Sequence, residues 1–241
     1  MKKHGIPVEH SILLLTGGAN NRVFRVTAGE RSWVLKQYFQ RDDDPRDRFA
    51  AEHDYYTALW DAGIRQIPQP LGWDRDKNLG LFEFISGRKL NPGEITPNRV
   101  DEALAFIINS NRCAGATRLN AASEACFSLP QHLATVERRI RRLQSIADQE
   151  ARDFVGHELI PKWQEIAAKE LSYRSEQKDL TDDQKCISPS DFGFHNALLQ
   201  PDKTLKFFDF EYAGTDDPAK LACDFFCQPR LPAALSYRDR F

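Results

Sequence analysis

Five polar residues stand out because their types and spacing bear on chemistry. Asp191 and Asn196 lie five positions apart in Ser188-Pro189-Ser190-Asp191-Phe192-Gly193-Phe194-His195-Asn196, and Asp209 opens an Asp-Phe-Glu thirteen positions after Asn196. The apolar runs 197–199 and 205–208 read as two short strands that can pair as a hairpin. That pairing would return Asp209 to the loop holding Asp191. Two carboxylates and an amide oxygen would then converge. Phosphoryl transfer from ATP needs such a set: one carboxylate to take the proton of the attacking hydroxyl, and a carboxylate with an amide oxygen to hold Mg²⁺. Lys36 alternates with Val34 and Tyr38 on one face of an otherwise apolar strand, Trp33-Val34-Leu35-Lys36-Gln37-Tyr38. An ammonium buried there is costly unless it is paired. Glu52 follows 16 positions later in a segment that reads as a helix.

The elements that must position these groups divide into two kinds. Runs rich in Val, Leu, Ile, Phe and Trp at 12–16, 22–27 and 31–39 predict strands, separated by Gly17-Gly18-Ala19-Asn20-Asn21 and Ala28-Gly29-Glu30. Both breaks have hairpin length, so an antiparallel meander is expected. Residues 45–62 predict a helix closed by Gly63, and further strands are expected near 69–73 and 80–85. Beyond Ser86-Gly87-Arg88 the pattern is helical. Val100, Leu104, Ile107, Ile108 and Asn111 share one face, Leu133, Val136, Ile140, Leu143 and Ala147 form a second stripe, and Trp163, Ile166 and Ala167 indicate a third helix starting at Pro161. Arg138, Arg139, Arg141 and Arg142 fall outside the second stripe and read as a solvated face, with Glu137 four positions before Arg141. The result is an α+β chain with two lobes: a small antiparallel β-sheet lobe over 1–85 and a larger, mainly helical lobe over 86–241. Small-molecule sites tend to lie in the cleft of such a layout.

With these residues in view, the sequence resembles the aminoglycoside phosphotransferase and choline kinase group of protein-kinase-like enzymes. That group's catalytic loop reads His-Gly-Asp-x-x-x-x-Asn and its metal segment Ile-Asp-Trp/Phe-Glu. Here the corresponding stretches are Pro189-Ser190-Asp191 through Asn196, and Phe208-Asp209-Phe210-Glu211. Asp209-Phe210-Glu211-Tyr212-Ala213-Gly214 looks like the choline kinase version, and Asp217-Pro218 with Asp224 resembles the group's Asp-Pro followed by Asp-Leu-Ala. The resemblance implies a protein-kinase-like two-lobed fold and an ATP- and Mg²⁺-dependent transfer of a phosphoryl group to a small-molecule hydroxyl. The acceptor would be an aminoglycoside, a choline-like alcohol, an amino-acid alcohol or a sugar. It implies Asp191 as catalytic base, Asn196 and Asp209 as Mg²⁺ ligands, Lys36 on the α- and β-phosphates, and Glu52 holding Lys36. Glu83 and Ile85, in the segment joining the lobes, would meet adenine through backbone groups, with Val34 as an apolar wall. Three departures stand out. Pro189 replaces the histidine before the catalytic aspartate, Lys220 occupies a position that is often acidic, and the chain ends 17 residues after Asp224, where relatives carry further helices. Pro189 and the short end also leave room for a second reading, a nucleotide-binding pseudokinase or regulatory module without turnover.

Gly17, Gly18, Ala19 and Asn20 precede the Lys36 strand, where glycine lets backbone N–H groups approach phosphates; a plain hairpin turn is the alternative reading. His195 reads as a packing residue of the loop rather than as a base. Asp182, Asp183, Asp216 and Glu211 would make an acceptor side acidic enough for a cation.

Composition excludes other classes. Of 241 residues, 41% are apolar and 28% charged, which marks a globular chain, and the formal charge of −2 provides no overall positive field for nucleic acid or an anionic membrane. No apolar run approaches the ~18 residues of a membrane span. There is no GxxxxGK[ST] and no GxSxG. The five cysteines are widely spaced, without a CxxC pair, and read as reduced thiols of a cytoplasmic protein.

Overall fold

The computed structural model describes residues 9–15, 21–40, 44–114, 119–173 and 179–241. Strands β1 (Ser11–Leu15), β2 (Arg22–Ala28) and β3 (Arg31–Gln37) form the expected meander, with Val23 opposite Lys36 and Val26 opposite Trp33. Helix α1 (Arg48–Asp61) then crosses, and β4 (Pro70–Asp74) and β5 (Leu79–Glu83) complete a five-stranded antiparallel sheet of order β1-β2-β3-β5-β4. Strand β5, not β4, sits beside β3, because β4 and β5 form a hairpin whose second strand runs back along β3.

Alternation along β3 decides what the sheet presents. Trp33 packs with Val26, Ala28 and Leu81 on one face, while Val34 and Lys36 face the other way with α1. Asp47 caps α1 by accepting from the Ala50 N–H at 3.0 Å, which starts the helix at Arg48, three residues after Pro45, rather than at it. The buried face of α1 carries Glu52 among Phe49, Tyr55, Tyr56 and Leu59.

Helix α2 (Pro97–Ala114) buries Val100, Ala103, Phe106 and Ile107, with Ile108 left 38% exposed. The face is therefore rotated towards Phe106 relative to the stripe read from the sequence. Asn111 of α2 works as a clamp: its Oδ1 accepts from the Ile187 N–H at 2.9 Å and its Nδ2 donates to the Ile187 carbonyl at 3.0 Å. Ile187 is the middle of β6 (Cys186–Ser188), which leads directly into the Asp191 loop and pairs antiparallel with β9 (Gly214–Asp216). Gly214 is required there by close approach, since a Cβ would stand 2.4 Å from the Asn120 carbonyl oxygen. Strands β7 (Ala197–Leu199) and β8 (Leu205–Phe207) form the expected hairpin. Helix α6 (Pro218–Cys227) follows β9, capped by Asp217.

Phenylalanine rings join these pieces. Phe106 of α2 stacks on Phe207 at 4.8 Å and Phe192 at 5.8 Å, and Phe192 meets Phe225 of α6 at 5.4 Å. Each such ring contributes roughly 1.5–3 kcal/mol on burial. All of these elements belong to one compact unit, Met1–Ser123 with Cys186–Phe241.

A second compact unit spans Glu124–Lys185. It contains α3 (Leu129–Leu143), α4 (Gln149–Phe154), a π-type turn over Val155–Leu159, and α5 (Ile160–Tyr173). Pro161 lacks the N–H that would continue a regular α-helical ladder, and the wider turn stands just before it. Glu124 accepts from Arg138 at 2.7 Å and from Arg139, and Glu137 accepts from Arg141 at 3.1 Å, so three of the four arginines on α3 are partnered.

Candidate functional site

The cleft-facing side of the sheet and the loops around β6 to β8 enclose a cavity of about 850 Å³ within the first unit. Its apolar part is lined by Val23, Val34, Phe82, Ile85, Leu198 and Phe208, and its polar part includes Lys36, Glu52, Asp191, Asn196, Asp209 and Glu211. Every sequence-predicted site residue among the described ones lines this one cavity; Gly17, Gly18, Ala19 and Asn20 lie outside the described residues.

Lys36 is 6% exposed and Glu52 1%. The Lys36 Nζ donates to Glu52 Oε2 at 2.5 Å and to Asp209 Oδ1 at 2.5 Å. Glu52 Oε1 also accepts from the Phe210 N–H at 3.3 Å, which ties α1 to the Asp-Phe-Glu segment. Burial alone would lower the Lys36 ammonium, but Asp209 and then Glu52 hold it well above the ordinary lysine value. Burial pushes the Glu52 carboxyl up, against the pull of Lys36. Breaking such a buried pair leaves an uncompensated charge, which makes the arrangement rigid. Glu211, also buried, accepts from the Asn21 amide, whose Oδ1 receives the Phe39 N–H at 2.9 Å.

The Asp191 loop is built by alternation. Phe192 and Phe194 point into the core at 2% and 1% exposure, which turns Asp191 out to the cleft, where its side chain is half exposed. The preceding Ser190 takes φ +65° and Asp209 takes φ +71°. Left-handed backbone at non-glycine residues costs about 1 kcal/mol or more and gathers at functional sites. Ser190 is held in it by its N–H donating to Ser188 Oγ at 3.0 Å. The Asn196 Nδ2 donates to the Asp191 carbonyl at 3.0 Å, and the Asn196 carbonyl accepts from the Phe208 N–H at 3.0 Å. The β7–β8 pairing thus carries Asp209 back beside Asn196, as its position in the sequence predicts.

His195 is more than a packing residue. Its side chain is only 8% exposed, and its Nε2 lies 3.1 Å from Asp191 Oδ1. That hydrogen bond, ahead of the opposing effect of burial, holds the Asp191 carboxyl below its usual range. Lys89 donates to the His195 carbonyl and its Nζ lies 4.4 Å from the centre of the Phe208 ring. Burial lowers the Lys89 ammonium to about 8, with Asp209 opposing and Arg230 reinforcing the shift. His195, Lys89, Leu198, Phe208 and Arg230 were not selected as site residues from the sequence. Leu198 alternates with its neighbours on a recognisable strand, so its side could have been read; nothing local marks the others.

Of the acids that would favour a cationic acceptor, Asp216 is fully buried and bonded to Lys220 at 2.9 Å, and Glu211 holds Asn21. Glu211 lines the cavity, Asp216 does not, and Asp182 and Asp183 belong to the second unit.

The donor set fits a hard cation. Asn196 spends its Nδ2 on Asp191, leaving its Oδ1 on the opposite side of the amide, and Asp209 is 39% exposed with one oxygen on Lys36. Among the described residues no three His, Cys, Asp or Glu side chains come together as a metal cage. An ion on Asn196 and Asp209 would take its remaining oxygens from phosphates and water, as Mg²⁺ characteristically does. Among the described residues, no helix is long and apolar enough to cross a membrane.

Comparison with known proteins accords with this geometry. The choline kinase LicA of Streptococcus pneumoniae superposes with a TM-score of 0.63 at 15% identity, over 95% of this chain and 72% of that one. A choline/ethanolamine kinase family protein of Mesorhizobium loti gives 0.59 at 18%, over 95% and 66%. Spectinomycin phosphotransferase APH(9)-Ia, in complex with ADP and spectinomycin, gives 0.55 at 15%, over 92% and 69%. These likenesses establish the α+β, protein-kinase-like fold, and the chain spans about two thirds of the length of these structures. A search of the curated proteins finds no match. The model of the APH family, described as a phosphotransferase enzyme family, matches residues 11–233, nearly the whole chain. The protein belongs to the APH phosphotransferase enzyme family.

Proposed function

We propose that this chain is a small-molecule kinase that transfers the γ-phosphoryl group of ATP to a hydroxyl, with Mg²⁺ as cofactor. The observation that carries the reading is the buried Lys36 ammonium, held at 2.5 Å by both Glu52 and Asp209 in a cavity that Asp191 also lines. In this reading the 1–85 lobe binds the nucleotide and the 86–241 lobe supplies the base and the acceptor wall.

Val34, with Glu83 at the end of β5 and Ile85 just after it, forms the adenine wall; Gly17, Gly18, Ala19 and Asn20 supply a phosphate loop. Lys36 meets the α- and β-phosphates, and Glu52 orients it. Asn196 and Asp209 hold Mg²⁺, which offsets the phosphate charge when bound. Asp191 receives the acceptor's hydroxyl. As the acceptor oxygen bonds to the γ-phosphorus and the bond to the ADP oxygen breaks, the hydroxyl proton passes to the Asp191 carboxylate. His195 lies 3.1 Å from Oδ1 of that carboxylate and the Asn196 Nδ2 reaches Oδ2 only at 3.5 Å, so the proton goes to the more weakly engaged Oδ2. Most of the acceleration comes from positioning and fixed charge.

Asp191→Ala should lower turnover about 10²–10⁴-fold with the affinity for Mg·AMP-PNP nearly unchanged. Asp209→Ala should weaken Mg·AMP-PNP binding itself. Near-normal turnover in the first variant removes Asp191 from the role of base. Tight nucleotide binding by the native chain without transfer to any hydroxyl acceptor points instead to a regulatory module.

A further inference from the structure

Besides the Asp191 loop, the cavity is lined by two short stretches: Lys89, Leu90 and Pro92 after β5, and Gln228 to Leu231 after α6. Their charged side chains, Lys89 and Arg230, are both cations. Lys89 and Arg230 both line the cavity, and each bears electrostatically on the other. Arg230 also acts on Asp191. Its guanidinium has no hydrogen-bond or ion-pair partner among the described residues. Lys89 has only a carbonyl oxygen for its hydrogen bond.

Gln228 extends the pattern. Its Oε1 accepts from the Arg230 and Leu231 N–H groups at 2.9 and 3.0 Å, which fixes the orientation of the amide. Its Nε2 is then left buried and without a partner, in a residue only 8% exposed that packs against Gly193 of the Asp191 loop. A buried, unsatisfied amide donor is destabilising. Here it lines the same cavity as two cations. Each acid of the cavity already has a partner: Glu52 and Asp209 on Lys36, Glu211 on Asn21, Asp191 on His195, and Glu83 on the Gln69 N–H. The nucleotide phosphates already have Lys36.

We propose that the acceptor carries an anionic group, a carboxylate or a phosphate, which Lys89 and Arg230 hold while its hydroxyl faces Asp191. This rests on the phosphotransferase reading and names its substrate class. Leu90, Pro92 and Leu231 give this part of the cavity an apolar lining suited to a short hydrocarbon body between the two groups. The reaction is unchanged: the acceptor oxygen bonds to the γ-phosphorus of ATP, ADP leaves, and the proton goes to Asp191. A cationic acceptor would instead meet two like charges.

The test uses the full chain and four hydroxyl compounds differing in charge: D-glycerate, sn-glycerol 3-phosphate, glycerol and choline. Binding is read as displacement of the unfolding midpoint in the presence of Mg·AMP-PNP, and transfer as ADP release with Mg·ATP. The two anions should bind at least tenfold more tightly than glycerol, and choline should not bind. Arg230→Glu and Lys89→Glu should each reduce the anion-to-glycerol affinity ratio by roughly tenfold or more, the scale of one charge-assisted contact. Glycerate against glycerol phosphate separates the carboxylate from the phosphate. A preference for glycerol or choline overturns the proposal, as does absence of anion binding or a ratio unmoved by Arg230→Glu. If Arg230→Glu weakens AMP-PNP instead, the pair serves the nucleotide and the proposal fails. Transfer to choline or glycerol alone would leave the kinase reading standing without the anionic acceptor. Anion binding without ADP release would do the reverse.

Discussion

Gly193 shows how one atom controls the chemistry of the Asp191 loop. Its backbone is extended, at φ 166°, so any residue could adopt it; what glycine provides is space. A Cβ at this position would stand 2.9 Å from the His195 Nδ1 and 3.1 Å from the Gln228 Cγ. Gly193→Ala should therefore push the imidazole off Asp191, at a stability cost of about 1–3 kcal/mol. Turnover is expected to fall roughly tenfold, the scale of one lost hydrogen bond, with the Kd for Mg·AMP-PNP little changed. Steady-state kinetics beside a nucleotide titration separates the two effects. An unchanged kcat would show that His195 does not orient the base. Asp191, Asn196, Asp209 and Lys36 were legible in the sequence from residue type and spacing, and Glu52 through the resemblance to the kinase group. His195, Lys89, Gln228 and Arg230 were not. Their meaning comes from convergence: Lys89 donates to a carbonyl 106 positions away, and no local pattern announces it.

Among the elements, β9 and α6 brace the same loop from below. Asp216 at the end of β9 is fully buried, and Lys220, one turn into α6, bridges it at 2.9 Å to Asp224 at 2.7 Å. The Lys220 Nζ also lies 3.5 Å from the hydroxyl of Ser190, the left-handed residue before Asp191. Burial would lower this ammonium, but Asp224 and Asp216 together raise it. The lysine that departs from the usual acidic residue thus has a structural use. Lys220→Met should destabilise the fold by about 3–5 kcal/mol, because Asp216 loses its cation in a buried site. Adding Asp216→Asn should recover part of that loss, the non-additivity expected of direct partners. Urea denaturation of the single and double variants measures both. Simple additivity would mean that the pair is not coupled. The long strands were legible from their β-branched and aromatic runs and from the turn residues between them. The β6–β9 pairing was not, since strands of three residues show no period and their partners lie about thirty positions apart. The rotated face of α2 escaped for a related reason: small Ala103 and Ser110 set the packing, and a count of large apolar residues does not register them.

At the scale of the whole molecule, nucleotide binding should draw on one compact unit and leave the other alone. Every residue lining the cavity belongs to Met1–Ser123 with Cys186–Phe241, and none to Glu124–Lys185. A ligand at about 100 times its Kd adds roughly 2.7 kcal/mol to stability. For a chain of this size that corresponds to a rise in Tm of roughly 5–10 °C. Mg·AMP-PNP should produce it, and chelation of the metal should remove most of it, because Asp209 then faces the phosphates without a cation between them. Lys36 would remain to offset part of the repulsion, so a small residual shift in EDTA is expected. Hydrogen exchange should report protection along β3, α1 and the 188–211 segment, with α3 to α5 unchanged. A metal-independent rise in Tm, or protection centred on α3 to α5, would mean that the nucleotide binds somewhere other than the Lys36–Asp209 cavity. The binding half of the function would then have to be sought in the Glu124–Lys185 unit, where Arg138, Arg139 and Arg141 are already engaged by Glu124 and Glu137.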